Sequence, residues 1–187
     1  MKKGKLFLIS GPSGSGKTTL RKMLQKDYST LIFSVSYTSR PKREDETEGK
    51  DYFFVTRGQF EEMIGENEFI EWALVYNHYK GTSKKVVREI LDKGNNVLLE
   101  LDVQGGENVI KLFPDVCSIF ILPPSLEVLL ERFEKRNTDS PEQMEIRMKN
   151  AKFEISKKLI YQFRIINNDI DQAYKELCSI IDSFLAE

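Results

Sequence analysis

Residues 11–18 read G-P-S-G-S-G-K-T. Every fixed position of the pattern G-x-x-x-x-G-K-[ST] is satisfied, which marks a loop that wraps the phosphates of a nucleotide. The four residues Leu6-Phe7-Leu8-Ile9 precede it as a short apolar run suited to a buried strand, and Thr19-Leu20-Arg21-Lys22-Met23-Leu24 follow with helix formers. A strand, a glycine-rich turn and a helix in that order are what the chemistry needs. Gly11, Gly14 and Gly16 permit backbone angles that turn successive N–H groups inward on an anion, and the helix N-terminus adds positive potential. Lys17 can reach the outer phosphate oxygens, and Thr18 offers a hydroxyl to Mg²⁺.

Outward from the loop, further apolar runs occur at residues 32–35, 97–101, 118–122 and 163–166. They are mostly continuous rather than alternating, as in strands buried on both faces. Helical spacing lies between them: Leu126, Leu129, Leu130 and Phe133 in one segment, and Ile170, Ala173, Tyr174 and Leu177 in another. Ser140-Pro141-Glu142-Gln143 and Thr56-Arg57-Gly58-Gln59 read as capping boxes that open helices. The alternation predicts an α/β fold with a mostly parallel five-stranded sheet flanked by helices. Residues from about 36 to 81 break the rhythm, with a charge-dense stretch at 42–51 and short β-like pieces at 52–55 and 69–73. They read as a small mixed-sheet insertion on the parallel core. Residues 134–140 form a second irregular patch, joining two helices that carry arginines.

The bulk numbers narrow the function classes. The chain has 187 residues, 40% hydrophobic and 30% charged, so one core is expected. A net charge of −1 exerts no global pull toward nucleic acid or anionic membrane. No apolar run approaches a membrane span or a signal-peptide core, so a cytoplasmic location is expected. Cys117 and Cys178 lack a C-x-x-C spacing and read as packed thiols. His78 is the only histidine, which leaves no room for a histidine-built zinc site.

The loop fixes a nucleotide but not a reaction. Residues 38–55, T-S-R-P-K-R-E-D-E-T-E-G-K-D-Y-F-F-V, supply the next clue. They resemble the guanylate kinase signature through Thr38, Ser39, Arg40, Arg43, Glu46, Gly49, Tyr52, Phe54 and Val55. Similar stretches continue at 68–72, 81–83, 101–105, 123–125 and 167–169, so the resemblance spans nearly the whole chain. It implies a phosphate-loop NTPase fold of one domain in three parts. These are a core of residues 1–35, 82–125 and 151–187, a GMP-binding region at 36–81, and a helical lid near 126–150. It implies Mg²⁺-dependent transfer of the γ-phosphoryl group of ATP to GMP. No partner beyond ATP and GMP, or dGMP, is expected: no nucleic acid, no membrane and no obligate protein.

The resemblance also assigns roles. ATP would be held by Gly11, Pro12, Ser13, Gly14, Ser15, Gly16, Lys17, Thr18 and Thr19, with Asn167 or Asn168 near the adenine. Arg40 and Arg43 are candidates for clamping the acceptor phosphate, because planar guanidinium forks hold phosphate oxygens bidentately. Tyr52 would add a hydroxyl. Glu71 stands where the family reads guanine, whose adjacent N1–H and N2–H₂ donors suit a carboxylate that adenine does not match. Ser36, Thr82, Asp102 and Gln104 join it. Asp102, at the end of an apolar run, also suits Mg²⁺, so its role is open between the two nucleotides. Arg132, Arg136 and Arg147 fall where the lid arginines neutralise the phosphoryl group in flight.

The pattern departs in four places. Lys80 stands where a tyrosine usually binds the acceptor phosphate, with Tyr79 one place earlier, so either could serve. Lys42 replaces the proline before Arg43, Asp45 replaces a glycine, and Asn137 replaces the glycine after the lid arginine. Two other readings compete. One is a kinase for a different nucleoside monophosphate, against which Glu71 argues. The other is a non-catalytic interaction module of guanylate kinase type, against which the intact Gly16-Lys17-Thr18 argues.

Overall fold

The apolar run before the loop is buried on both sides, and this fixes the centre of the molecule. The computed structural model describes residues 3–75, 77–135 and 141–186. β1 (Leu6–Ser10) leads into α1 (Lys17–Asp27), and β2 (Leu31–Phe33) follows. An excursion then comprises β3 (Tyr37–Thr38), β4 (Phe53–Phe54), α2 (Arg57–Gly65), β5 (Phe69–Val75) and β6 (His78–Ser83). The core resumes with α3 (Lys84–Asp92), β7 (Asn96–Glu100), α4 (Val103–Leu112) and β8 (Cys117–Leu122). α5 (Leu126–Glu134), α6 (Pro141–Ser156), β9 (Phe163–Ile166) and α7 (Ile170–Ala186) complete the chain.

The main sheet has the order β2-β7-β1-β8-β9, with every pairing parallel. Side chains alternate across it. Leu6 and Leu8 pack on one face with Val97, Leu99 and Phe120, under Val87 and Leu91 of α3 and Val109 of α4. Phe7 and Ile9 pack on the other with Leu98, Ile119 and Ile121, against Leu20 and Leu24 of α1 and Leu177 and Ile181 of α7. Each such side chain contributes about 1.5–3 kcal/mol by leaving water, which is why the runs are continuous rather than alternating. β1 sits between β7 and β8, so the loop after it opens at the carboxyl end of the sheet, where ligands of this architecture bind.

The second sheet has the order β4-β3-β6-β5, mixing parallel and antiparallel pairs. Its strands were legible in kind but not in length: residues 52–55 yield only a two-residue β4, and the strand expected at 32–35 ends at Phe33. The capping box at Thr56 forms as expected, with the Thr56 hydroxyl accepting from the Gln59 N–H and the Gln59 side chain reaching back. α6 begins at Pro141 as expected, while its expected cap Ser140 lies outside the described residues, as do Arg136 and Asn137.

Candidate active site

The loop is built by its backbone. Gly16 has φ +98°, and a Cβ there would overlap the Asn167 side-chain amide. Only glycine meets both demands without strain. Asn167, buried at the end of β9, donates its amide to the Ser15 carbonyl at 2.8 Å. Arg132 of α5 donates to the Gly14 carbonyl at 3.2 Å and to the Asn167 carbonyl at 2.9 Å. Lys17 Nζ donates to the carbonyls of Gly11 at 2.6 Å and Pro12 at 2.9 Å. The ammonium is thus parked across the loop mouth. Ser13, Gly14, Gly16, Lys17, Thr18 and Thr19 line a cradle of about 150 Å³. Beside it, Gly14, Gly16, Thr19, Arg132, Asn167, Asn168, Asp169 and Ile170 line an open hollow of about 480 Å³. Asn168 is exposed at that rim, whereas Asn167 braces the loop from beneath.

A second cavity of about 370 Å³ faces the cradle. Its walls bring Gly11, Ser13 and Lys17 from the loop together with Glu71, Ala73 and Lys80 from the small sheet, and with Glu100, Asp102 and Glu154. Cross-strand register explains the Glu71 side: Glu71 pairs with Thr82 across β5 and β6. The buried Thr82 hydroxyl donates to Glu71 Oε1 at 2.7 Å. Burial pushes the Glu71 carboxyl above its ordinary range, and the nearby Asp102 charge adds to the rise, while the Thr82 hydroxyl and the Lys80 charge pull against it. Gly105 makes room: a Cβ there would come within 2.9 Å of Glu71 Cγ. Asp102 caps α4, accepting from the Gly105 N–H at 2.8 Å.

A third cavity of about 430 Å³ continues on the other side of Glu100, lined among others by Thr18, Arg21, Ser36, Glu46, Tyr52 and Lys80. Arg40 is anchored here by Glu46 at 2.5 Å, and its guanidinium lies 5.6 Å from the Tyr52 ring centroid. Glu46 also accepts from the Arg43 main-chain N–H at 2.9 Å. Arg40, and then the Arg43 N–H, hold the Glu46 carboxyl below its usual range. The Arg43 side chain is exposed and lines neither cavity.

Alternation along β6 separates the two candidates at the tyrosine position. Lys80 faces both cavities and lies 5.4 Å from the Tyr52 ring centroid. Tyr79 faces the opposite side, stacked on Phe60 with centroids 5.1 Å apart and donating its hydroxyl to Glu61 at 3.2 Å. The structure therefore does not bring Tyr79 to the other candidates. The two-residue period of a strand carried that information in the sequence. Gln104 is exposed in the first turn of α4 and lines none of these cavities. Arg147 lies on α6 with its guanidinium 5.7 Å from the Phe133 ring centroid.

Glu100 and Arg21 were not singled out in the sequence. Thr18 donates its hydroxyl to Glu100 Oε1 at 2.5 Å, and Arg21 Nε donates to Glu100 Oε2 at 3.0 Å. Ile9 pairs with Glu100 across β1 and β7, so the carboxylate arrives at the loop by register. A hydroxyl and a carboxylate together are hard oxygen donors of the kind that fit Mg²⁺. Asp102, whose role the sequence leaves open between Mg²⁺ and guanine, lines the Glu71 cavity, as Glu100 also does. A larger hollow of about 560 Å³ lies at the opposite end of the sheet, between Lys3, Lys5, Leu112 and Phe184, so size does not identify the site.

A phosphate loop at the switch point of an all-parallel sheet, faced by a second polar cavity, defines the class of phosphate-loop phosphotransferases. A shikimate kinase from Bacteroides thetaiotaomicron shares that fold at a TM-score of 0.56 and 15% identity, covering 95% of this chain and 98% of that one. The family follows from closer likenesses. The guanylate kinase family profile matches residues 3–184. A guanylate kinase of Caldanaerobacter subterraneus subsp. tengcongensis is 45% identical over 180 residues, 96% of this chain and 87% of that protein. The crystal structure of the guanylate kinase from Anaplasma phagocytophilum superposes with a TM-score of 0.75 at 34% identity, covering 97% of this chain and 86% of that one. The chain belongs to the guanylate kinase family.

Proposed function

We propose that the protein transfers the γ-phosphoryl group of ATP to GMP, giving ADP and GDP. The observation that carries this reading is the single cavity in which Lys17 and the loop face Glu71 and Asp102. ATP would lie along the 150 Å³ cradle with its adenine in the hollow beside Asn168 and Arg132. The guanine would present N1–H and N2–H₂ to Glu71, oriented by Thr82, with Asp102 alongside. The GMP phosphate would extend toward Ser36, Arg40, Tyr52 and Lys80, with Arg43 swinging in from the surface. Residues 36–81 then act as the GMP-binding region and 126–150 as the lid, on a core made of the rest.

The acceptor phosphate oxygen is already anionic, so no general base is needed, and a chain with one histidine suffices. Catalysis reduces to positioning and charge neutralisation. Lys17 exchanges its carbonyl partners for β- and γ-phosphate oxygens. Arg132, Arg147, Arg40 and Arg43 would surround the group in transfer, and the family resemblance gives the same role to Arg136, which lies outside the described residues. When bound, Mg²⁺ would supply positive charge that offsets the outer phosphates. Thr18 and Glu100, already joined by a hydrogen bond, would hold it. Among the described residues no helix is long and apolar enough to cross a membrane. With ATP and GMP as substrates, we place the protein in the cytoplasm.

The test is coupled ADP release with ATP and Mg²⁺ against GMP, dGMP, AMP, UMP and dTMP in separate assays. Turnover confined to guanine nucleotides is the expected outcome. Equal turnover with AMP would overturn the role of Glu71, and a folded, ATP-binding protein inert with every acceptor would favour an interaction module.

A further inference from the structure

Glu154 belongs to none of the roles above, yet its carboxylate lines the cavity at the loop mouth with Gly11, Ser13 and Lys17. It comes from α6, near the C-terminal end of that helix, and is half-buried. It shares that cavity with Ser13, and the Lys17 charge acts on it. The carboxylate lies not in the cradle but in the cavity that faces it, beside loop residues and an ammonium of the kind that hold phosphate oxygens. Burial nevertheless pushes the Glu154 carboxyl above its ordinary range, with the Asp102 charge adding to the rise against the pull of Lys17 and Ser13.

The helix that carries it is thinly anchored. Among the described residues of α6, Ala151 is buried against Leu129 and Phe133 of α5, with Met148 packed beside it. Ile146 and Phe153 are 59% and 64% exposed. Arg147 and Glu154 are seven residues apart, which places them on one face of the helix. A helix with little burial opens locally at low cost.

We propose that Glu154 is an internal anion that sits at the mouth of the phosphate loop beside Lys17 in the nucleotide-free protein, and that ATP displaces it and so frees α6 to move. Two anions repel beside Lys17, so the carboxylate and the terminal phosphate exclude each other. The donor site thereby reports its occupancy to the helix that carries Arg147. By reciprocity, whatever unlatches α6 raises ATP affinity.

This inference rests on the ATP site proposed above, and the experiment separates the two. Calorimetric titration of the full chain with MgATP, without acceptor, is compared for wild type and Glu154→Gln. Hydrogen exchange of residues 145–156 is followed in parallel. The variant is expected to bind ATP about fivefold tighter, the gain when the competent state rises from about a fifth of the population. ATP should speed exchange in the wild-type helix and add little in the variant, where it is already fast. Equal or weaker ATP binding by the variant overturns the proposal. So does tighter binding with unchanged exchange, because the carboxylate would then repel phosphate without holding the helix. A folded wild type that binds no ATP overturns the donor site itself, and the latch with it. Should Glu154→Gln not fold, Glu154→Asp, one methylene shorter, is expected to shift both readouts in the same direction.

Discussion

The two ends of the cleft are made differently. At the phosphate loop the backbone forms the cradle, and other elements brace it: Asn167 from β9 on the Ser15 carbonyl, and Arg132 from α5 on the Gly14 carbonyl. At the acceptor end, side chains on short strands must supply the site. β3 and β4 have two residues each, Arg40 keeps its place through Glu46, and the Arg43 side chain is exposed. A backbone site is assembled before its ligand arrives, whereas a side-chain site is completed by it. Substitutions at the first end should therefore cost turnover, and substitutions at the second should cost acceptor affinity and selectivity.

The largest break should come at Lys17. Lys17→Ala removes the ammonium that the loop holds across its mouth, and with it charge complementary to the transferring phosphate. Turnover is expected to fall about 10³-fold while thermal unfolding barely moves, since the Lys17 side chain caps carbonyls that water can satisfy. A loss of less than tenfold would show that the arginines carry the charge without it.

Next comes Glu71, where the acceptor end meets the core. Glu71→Gln leaves one guanine donor facing an amide N–H₂. The expected drop in GMP kcat/KM is about 10²-fold, with a narrowed preference over AMP. The wild type should also show an acid limb. Its folded carboxyl ionises at higher pH than a free glutamate, because burial disfavours the charge. GMP needs that charge, so kcat/KM should fall as pH drops through the raised value, and GMP binding should pull the ionisation back down. The same raised value means the protonated form favours folding: that stability is present below the unfolded glutamate range and is lost as pH rises through the folded value. An acid limb that persists unaltered in Glu71→Gln would assign it to another group, such as the GMP phosphate.

The difference between the ends also explains what the sequence made legible. The loop pattern sets backbone geometry by itself, so 11–18 and the apolar runs around it predicted the strand, the turn and the five-stranded sheet. Glu100 escaped notice because it reads as a polar interruption in the run Val97-Leu98-Leu99-Glu100-Leu101. Only the pairing of Ile9 with Glu100 brings it to Thr18. Register between distant strands is a tertiary fact. Gly105 is similar, its small size mattering only because Glu71 lies against it. The choice between Tyr79 and Lys80, by contrast, was written in strand alternation, once residues 78–83 are known to be a strand. The short β3 escaped because its pairing partners, not its own propensity, hold it extended.

Glu46 sharpens the comparison from the acceptor side. It accepts from the Arg40 guanidinium and the Arg43 N–H at once, so it orients one clamp residue and the loop of the other. Glu46→Gln keeps the shape and weakens both bonds. GMP KM is expected to rise about three- to tenfold with kcat within about twofold, the signature of a loosened clamp rather than lost chemistry. A fall in kcat at unchanged KM would mean that the residue acts on the transition state instead.

Lys80 should give the smallest effect and the most informative one. Its exposed ammonium faces Tyr52, lines both acceptor cavities and acts on Glu71 from the neighbouring strand. Lys80→Tyr exchanges a charge for a hydroxyl where the family resemblance expects one. An exposed charge is screened, so GMP KM at moderate salt should change only about two- to threefold. The salt dependence should change more: KM should climb with ionic strength in the wild type and stay flatter in the variant. The acid limb should move as well, to higher pH, because Lys80 pulls the Glu71 carboxyl down and its loss lets burial push it further up. Identical salt and pH profiles in the two proteins would mean that the ammonium faces the cavities without touching the acceptor, leaving Arg40, Ser36 and Tyr52 to hold the phosphate.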